Sequence, residues 1–386
     1  MHILFVPSWY PIDDHDFGGS FFREQAQAFA RSGHQVGVLA VRGIPVLSRK
    51  HFRDRHRDIR YAVEGGVHTY RADRVLPYVR LPAANAAALL RRGRAVLRRY
   101  IAAHGRPDVL HAHSMFPGGV LTAALAAELR IPYVITEHRP SSIDLLQRPW
   151  YGAAGRSAAA TAGGLVAVAA EFATVLNQAY GPPGGWEYLP GLLSPQFERL
   201  PVRPAPTGDF VFGHVSHLDP GKRVDLMIEA FADRFRGDPG TRLRIAGDSV
   251  HRAELVALAE RDGVRDQVDF AGAVPRSGIA DEFGRYHVFV LASHAEAFGT
   301  VLWEAQAVGL PLISTRTWAG AGAVTPENGL LTPIDDREAL GAAMTAMRES
   351  FDSYDGERIR RLAVQICGQQ RFVELYTELY RRAGGA

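Results

Sequence analysis

Two carboxylates, Glu296 and Glu304, bracket Phe298-Gly299-Thr300 within the stretch 294–305. The residues before it, 287–293, read as a buried strand through Val288, Phe289, Val290 and Leu291. Those after it, 310–314, read as the next strand. Phe298-Gly299-Thr300 would then open a helix whose first N–H groups have no intrahelical acceptor and would face an anion. Glu304 would lie one turn further in, on the face shared with Thr300. Open α/β sheets bind ligands at such places, beyond a strand's carboxyl end and at a helix N-terminus.

A second constellation is built on a lysine. Of 44 Lys and Arg residues, only Lys50 and Lys222 are lysine. A lysine kept in so Arg-biased a chain would serve as a compact, flexible point charge. Lys222 closes the loop His217-Leu218-Asp219-Pro220-Gly221-Lys222-Arg223, after a strand at 210–215 and before a helix. It would project into a cleft beside the Glu296 loop, where a cation stabilises a diphosphate leaving group. Lys50 lies in 49–60, an Arg-rich, apolar-poor segment expected as a mobile loop.

Two further features belong to the first half. Asp16-Phe17-Gly18-Gly19-Ser20 follows the first strand and opens a helix, and adjacent glycines let amides approach a phosphate. Glycines also serve tight turns, and no dinucleotide-binding fingerprint is present. His111, His113 and His138 stand at the carboxyl ends of strands. They are candidates for a role in the cleft, with structural histidines as the other reading. No third ligand for zinc is evident, so no metal is expected.

These residues need a scaffold. A chain of 386 residues should form two domains, since single cores stop growing near ~250–300 residues. Strand candidates alternate with helical patterns throughout, which predicts parallel, doubly wound sheets. The first-half strands are 3–6, 36–41, 67–71, 109–112, 133–136, 164–168 and 186–189; the second-half strands are 210–215, 242–246, 268–271, 288–291 and 311–314. Pro and Gly crowd 190–208, which reads as a linker. The expected organisation is an N-terminal Rossmann-like domain at 1–190, a linker at 191–208, a C-terminal Rossmann-like domain at 209–370, and a C-terminal helix at 371–386. That helix has apolar residues at helical spacing and needs a surface to cover, such as the N-terminal domain.

Charge is split: residues 1–190 carry 22 Arg and Lys against 14 Asp and Glu, a net of +8, and the rest carry a net of −5. A basic half suggests an acidic partner such as phosphate, anionic lipid or acidic glycan, and a solvated surface is the other reading. At 89–101, Leu89, Leu90, Val96, Leu97, Tyr100 and Ile101 alternate with arginines. Such a helix can lie on an anionic membrane, although ordinary surface helices share the pattern. No apolar run reaches the ~18–20 residues of a membrane span. The first residues read as a strand rather than a signal peptide. The single cysteine, Cys367, reads as a buried thiol and makes a reducing cytoplasm the default. The expected location is cytoplasmic, with peripheral contact at the inner membrane face through 89–101. No nucleic-acid partner is expected.

Together these motifs resemble GT4-family retaining glycosyltransferases. Residues 213–231 are similar to that family's lysine loop and helix. Glu296 to Glu304 is similar to its E-x7-E motif, followed by Glu304-Ala305-Gln306-Ala307-Val308-Gly309-Leu310-Pro311. Residues 270–274, 328–331, Gly18-Gly19 and 33–36 match as well, and the opening 8–11 and 19–23 resemble bacterial members acting on polysaccharides or natural products. The resemblance spans nearly the whole chain and is most specific in the second half. It implies a GT-B fold of two Rossmann-like domains facing a cleft, with no metal or cofactor. It implies transfer of a hexosyl group from a UDP- or GDP-linked sugar, with retention, to a polysaccharide, lipid-linked or natural-product acceptor. Glu304 would bind the donor ribose and Glu296 the sugar hydroxyls. Phe298, Gly299 and Thr300 amides would serve sugar and diphosphate, Lys222 the diphosphate, and Val274 the base. Gly18 and Gly19 would close over phosphate, His113 would touch the transferred sugar, and His138 stands beside it as a candidate contact.

The sequence departs from the family at several places. An arginine usually stands five residues before the lysine; here that residue is His217, which would make leaving-group stabilisation pH-dependent unless a nearby Arg such as Arg223 substitutes. Ala297 replaces a glycine, and Trp318-Ala319-Gly320-Ala321-Gly322 lacks the family's acid. No carboxylate pair has double-displacement spacing, which favours a front-face path with Glu296 positioning rather than attacking. A sugar-nucleotide epimerase and a non-catalytic nucleotide-sugar-binding protein are the alternatives. A pyridoxal-phosphate-dependent phosphorylase would need a lysine that Lys222 and Lys50 do not supply.

Overall fold

The computed structural model describes residues 1–385 apart from 14, 15, 17, 49–57, 79, 182–184 and 203. Its contacts divide into two units, Met1–Leu192 with Gln370–Ala386, and Leu193–Gln369.

The first unit is built on β1 (His2–Pro7), β2 (Gln35–Pro45), β3 (Arg60–Glu64), β4 (Val67–Leu76), β5 (Val109–His113), β6 (Tyr133–Glu137), β7 (Gly164–Ala167) and β8 (Trp186–Tyr188). The sheet order is β3-β4-β2-β1-β5-β6-β7-β8. The pairs are parallel except β3–β4, an antiparallel hairpin closed by Gly65-Gly66. β1, β5 and β6 are buried along their whole length, as strands covered on both faces must be. The strand order turns at β1, which has β2 on one side and β5 on the other. The Gly18-Gly19 loop leaves β1 and His113 ends β5, so both stand at the switch point of this sheet.

The second unit carries β9 (Phe210–Val215), β10 (Thr241–Ala246), β11 (Val268–Gly272), β12 (Val288–Leu291), β13 (Leu312–Thr315) and β14 (Gly329–Thr332), in the order β11-β10-β9-β12-β13-β14, all parallel. One apolar cluster gathers the helices Val224–Phe235 and Arg337–Ser350, and another gathers Thr300–Ala307 and Gly356–Cys367. Here the order turns between β9 and β12. The Lys222 loop follows β9 and the Glu296 loop follows β12, so the two motifs flank one switch point.

Two segments differ from their expected form, and a third, 89–101, is helical as expected. The segment 49–60 was expected as a loop; residues 49–57, with Lys50, lie outside the described residues, and Arg60 begins an edge strand. The stretch 191–208 carries packed side chains: Leu193 and Phe197 are fully buried in the second unit, and Pro195–Glu198 is a short helix. Proline at the first helical position favours that turn, a use of proline that composition alone does not separate from a linker. The 89–101 pattern lies within the long helix Pro82–His104, whose Leu89, Val96, Leu97 and Tyr100 are buried. Its apolar stripe is taken up by the core, which leaves Arg91, Arg98 and Arg99 at the surface rather than an apolar face free to insert into lipid. Among the described residues, no helix is long and apolar enough to cross a membrane.

The final helix, Gln369–Gly384, packs in the first unit, where Phe372, Tyr376, Leu379 and Tyr380 join its core. Cys367 is buried, and burial pushes its thiol pKa up.

Candidate active site

In the second unit the chain leaves β9 through Ser216 and His217. It forms a tight turn over Pro220–Lys222 and enters the helix Val224–Phe235 with Arg223 in the left-handed region. His214, fully buried in β9, braces this exit: one ring nitrogen lies 2.9 Å from the Val290 carbonyl and the other 2.7 Å from Ser216 Oγ. The Ser216 hydroxyl in turn accepts the Leu218 N–H at 3.0 Å. Burial lowers the His214 pKa to about 4, so the ring is neutral at pH 7.

The loop after β12 is tied to this one. The His294 N–H donates to the Gly221 carbonyl at 2.9 Å, and Lys222 Nζ forms an ion pair with Glu296. Ser293 Oγ donates to the same carboxylate at 3.3 Å. The two side chains stay partly open, with 28% and 17% exposure. A charged pair at that exposure is accessible to an anion competing for the lysine.

The helix Thr300–Ala307 starts after Gly299, whose φ of 62° selects glycine. A Cβ there would also come within 2.9 Å of Ala319 Cβ. Among the described residues, the N–H groups of Phe298, Gly299 and Thr300 have no acceptor. Glu304, one turn in, is buried and forms an ion pair with Arg276, which stands just after Val274-Pro275. Val274, Arg276 and Glu304 thus sit together, with Arg276 also over the Phe197 ring. Arg276 was not singled out from sequence: its partner is 28 residues away, and a lone Arg after a proline carries no pattern.

His217 is exposed and makes no hydrogen bond or ion pair with a described residue. Arg223 is held by Asp225 and Asp335, and Asp335 also meets His294 at 2.8 Å. Arg223 is thus paired with carboxylates, as Lys222 is with Glu296.

In the first unit, Gly18 N–H donates to Asp16 Oδ1 at 2.9 Å, and Gly19 has φ 82°. A Cβ on Gly19 would meet the Trp9 ring at 2.9 Å, so the turn requires glycine twice over. His113 is fully buried between Phe5 and Phe22, with Nδ1 3.1 Å from His138 Nε2 and Nε2 unpartnered. His111 lies between Thr136 Oγ1 and Tyr380 OH, at 2.8 and 2.7 Å. Burial holds His111 and His113 well below the ordinary histidine pKa and His138 at about 3, so none is a cation at pH 7. Glu137, absent from the sequence candidates, shapes these loops by accepting the N–H groups of Met115, His138 and Arg139 at 2.8–2.9 Å. Among the described residues, no group of His, Cys, Asp or Glu is placed to hold a metal ion.

With this geometry in view, comparison with known proteins is decisive for the family. The model described as glycosyltransferase family 4 matches residues 18–190, and that described as glycosyl transferases group 1 matches 196–354. The chain belongs to the family 4 glycosyltransferases. This family 4 chain is 27% identical over 294 residues to a D-inositol 3-phosphate glycosyltransferase of Nocardia farcinica, covering 68% of the chain and 62% of that protein. It is 34% identical over 174 residues to an exopolysaccharide phosphotransferase of Streptomyces coelicolor, covering 43% of the chain and 18% of that protein. The chain thus spans less than two thirds of the length of either relative. In three dimensions it is similar to HepE of Anabaena, solved in complex with UDP, with a TM-score of 0.74, 18% identity, and 98% and 99% of the two chains covered. The fold is GT-B.

Proposed function

We propose that this protein transfers a sugar from a nucleoside diphosphate donor to an acceptor hydroxyl, with retention of anomeric configuration. The observation that carries the reading is the second unit's switch point. Lys222, Glu296, three unpaired amides and Glu304 converge there on two loops joined to each other. UDP is the first donor nucleotide to try, because HepE was solved with it, and GDP the second.

The diphosphate would take Lys222 from Glu296 and sit on the amides of Phe298, Gly299 and Thr300. Preorganised donors of this kind stabilise charge as it develops on the leaving group. Displaced from the lysine, Glu296 would turn to the sugar hydroxyls and the positive charge on the ring. Glu304 would leave Arg276 for the ribose hydroxyls, and the freed guanidinium would stand next to the nucleotide. The bond from the anomeric carbon to the phosphate oxygen breaks, the acceptor oxygen bonds on the same face, and the acceptor proton leaves with the diphosphate. No metal or cofactor enters this scheme. His113 and His138, being neutral, would act as hydrogen-bond partners and not as acids.

The test is incubation of UDP- and GDP-linked sugars with and without candidate acceptors, with the product's anomeric configuration read by NMR. Acceptor-dependent release of nucleoside diphosphate and a retained anomer are expected. Donor consumed without acceptor to give an epimeric sugar nucleotide, or an inverted product, would reject the proposal.

A further inference from the structure

The first unit contains a cavity of about 790 Å³ that touches the Gly18 loop and residues 8–11 and extends well beyond them. It opens beyond the carboxyl ends of β1, β2 and β4 and is walled by Trp9, Tyr10, Leu89, Phe116, Trp150 and Tyr151. Apolar and aromatic walls dominate, and the polar groups reaching it are mostly satisfied. Arg42 grips Asp73 through two hydrogen bonds of 2.9 and 2.7 Å. Arg71 grips Glu64 and donates to the Pro11 carbonyl at 2.9 Å. Asp16 accepts the N–H groups of Ile12 and Gly18, both at 2.9 Å.

Arg60 is different. It stands directly across the β3–β4 hairpin from Arg71, a like-charge pairing that costs stability unless something neutralises it. The carboxylates on that hairpin, Glu64 and Asp73, already pair with Arg71 and Arg42. Arg60 lines the cavity, and its Nε is buried without a partner among the described residues. Burial and the neighbouring Arg71 and Arg42 charges lower its pKa, against the opposing pull of Asp73 and Asp13.

The cavity's margin is also apolar. Leu76, Pro82 and Asn85 line it, and beside them Val46, Leu47, Tyr78 and Leu81 are exposed by 41–74%. Val46 bonds to the Leu76 carbonyl and Tyr78 to Asn85, so these exposed groups are fixed to the wall.

We propose that this cavity holds the acceptor, and that the acceptor is an amphiphile: an apolar body carrying a phosphate or carboxylate that pairs with Arg60. The assignment rests on the glycosyltransferase reading for the word acceptor, but the binding chemistry does not. A polysaccharide chain would find few free hydrogen-bonding groups here, whereas an apolar body fills the aromatic walls and can extend along the exposed margin.

The experiment measures binding of dodecyl phosphate, 2-naphthyl phosphate, dodecanol, inorganic phosphate and maltotetraose by calorimetry, below any micelle concentration. Wild type, Arg60→Gln and Ala124→Trp are compared, the last filling the cavity from the helix Val120–Leu129. One of the two organic phosphates should bind at least about tenfold more tightly than dodecanol and inorganic phosphate, as a charge-assisted contact provides. Arg60→Gln should remove that advantage, and Ala124→Trp should weaken the organic ligands. Preference for dodecyl over naphthyl phosphate identifies a lipid-like acceptor, and the reverse a soluble aromatic one. Tighter binding of maltotetraose, or organic-phosphate affinity untouched by Arg60→Gln, overturns the proposal. UDP binding, measured on the same three proteins, should be equal in all. Its absence from wild type would count against the function proposed above and leave the cavity result standing.

Discussion

At the residue scale the site is held by two ion pairs, Lys222–Glu296 and Arg276–Glu304. In the proposed scheme Glu296 and the donor diphosphate would compete for Lys222, which separates binding from turnover. Lys222→Ala should lower kcat by at least about 100-fold, the effect of losing one preorganised donor to a developing anion. The folded state should change by no more than about 1 kcal/mol, because the pair is partly exposed. Glu296→Gln should also lower kcat, yet leave UDP affinity equal to or tighter than wild type, because the lysine is released. Steady-state kinetics paired with calorimetric UDP titration reads both. Weaker UDP binding in Glu296→Gln would mean that the carboxylate orders the loop rather than competes. The motif residues themselves were legible from type and spacing. Arg276 was not, because its role depends on Glu304, a partner brought near by the fold rather than by the local sequence.

At the element scale the loops are positioned by buried histidines. His214 braces the lysine loop, and His111, His113 and His138 fill the strand ends of the first sheet. Burial lowers all four pKa values, so the unfolded chain binds more protons than the folded one once pH falls below about 6.5. Their contribution is present above that value and lost as pH falls towards about 4 for His214 and about 3 for His138. Between pH 6.5 and 5, stability should fall by about 1.4 kcal/mol per pH unit for each such histidine. Burial raises the Glu137 pKa, so the folded chain keeps that proton to higher pH than the unfolded chain does, which opposes the histidine slope. Chemical denaturation across this window should show the slope, and His214→Asn should reduce it by one proton; an unchanged slope would place the titration elsewhere. Gly213 in the same strand is a harder constraint. A Cβ there would lie 2.0 Å from the Tyr286 ring, so Gly213→Ala should cost more than the ~1–3 kcal/mol of ordinary overpacking and give little soluble protein. Legibility followed the same physics. β12 and β13 could be read because strands buried on both faces are continuous apolar runs. β3 could not, since an edge strand with half-exposed Arg60, Ala62 and Glu64 resembles a charged loop, and β14 has only Leu330 and Leu331 as an apolar run.

At the scale of the whole molecule, the chain's last helix belongs with its first strands. Gln370–Ala386 groups with Met1–Leu192, and Tyr380 bonds to His111 on β5. The amphipathic pattern at 371–382 predicted a surface to cover, and the core of the first unit takes Phe372, Tyr376, Leu379 and Tyr380. Each such side chain is worth about 1.5–3 kcal/mol of burial, so together they reach about 6–12 kcal/mol, comparable to the net stability of a domain. Deleting residues 370–386 should therefore unfold the first unit selectively. The residues proposed for the donor, Lys222, Glu296, Arg276 and Glu304, all lie in Leu193–Gln369 and keep their own cores. The truncated protein should show a low-temperature transition that UDP does not shift and a second that UDP raises, because a ligand stabilises only the unit that binds it. Dodecyl phosphate binding should be lost with the first transition. Scanning calorimetry with and without each ligand reads all of this. A single transition raised by UDP and unchanged in midpoint from the full chain would mean that the helix is dispensable to the first core. Loss of UDP binding would mean that nucleotide recognition requires the first unit to be intact.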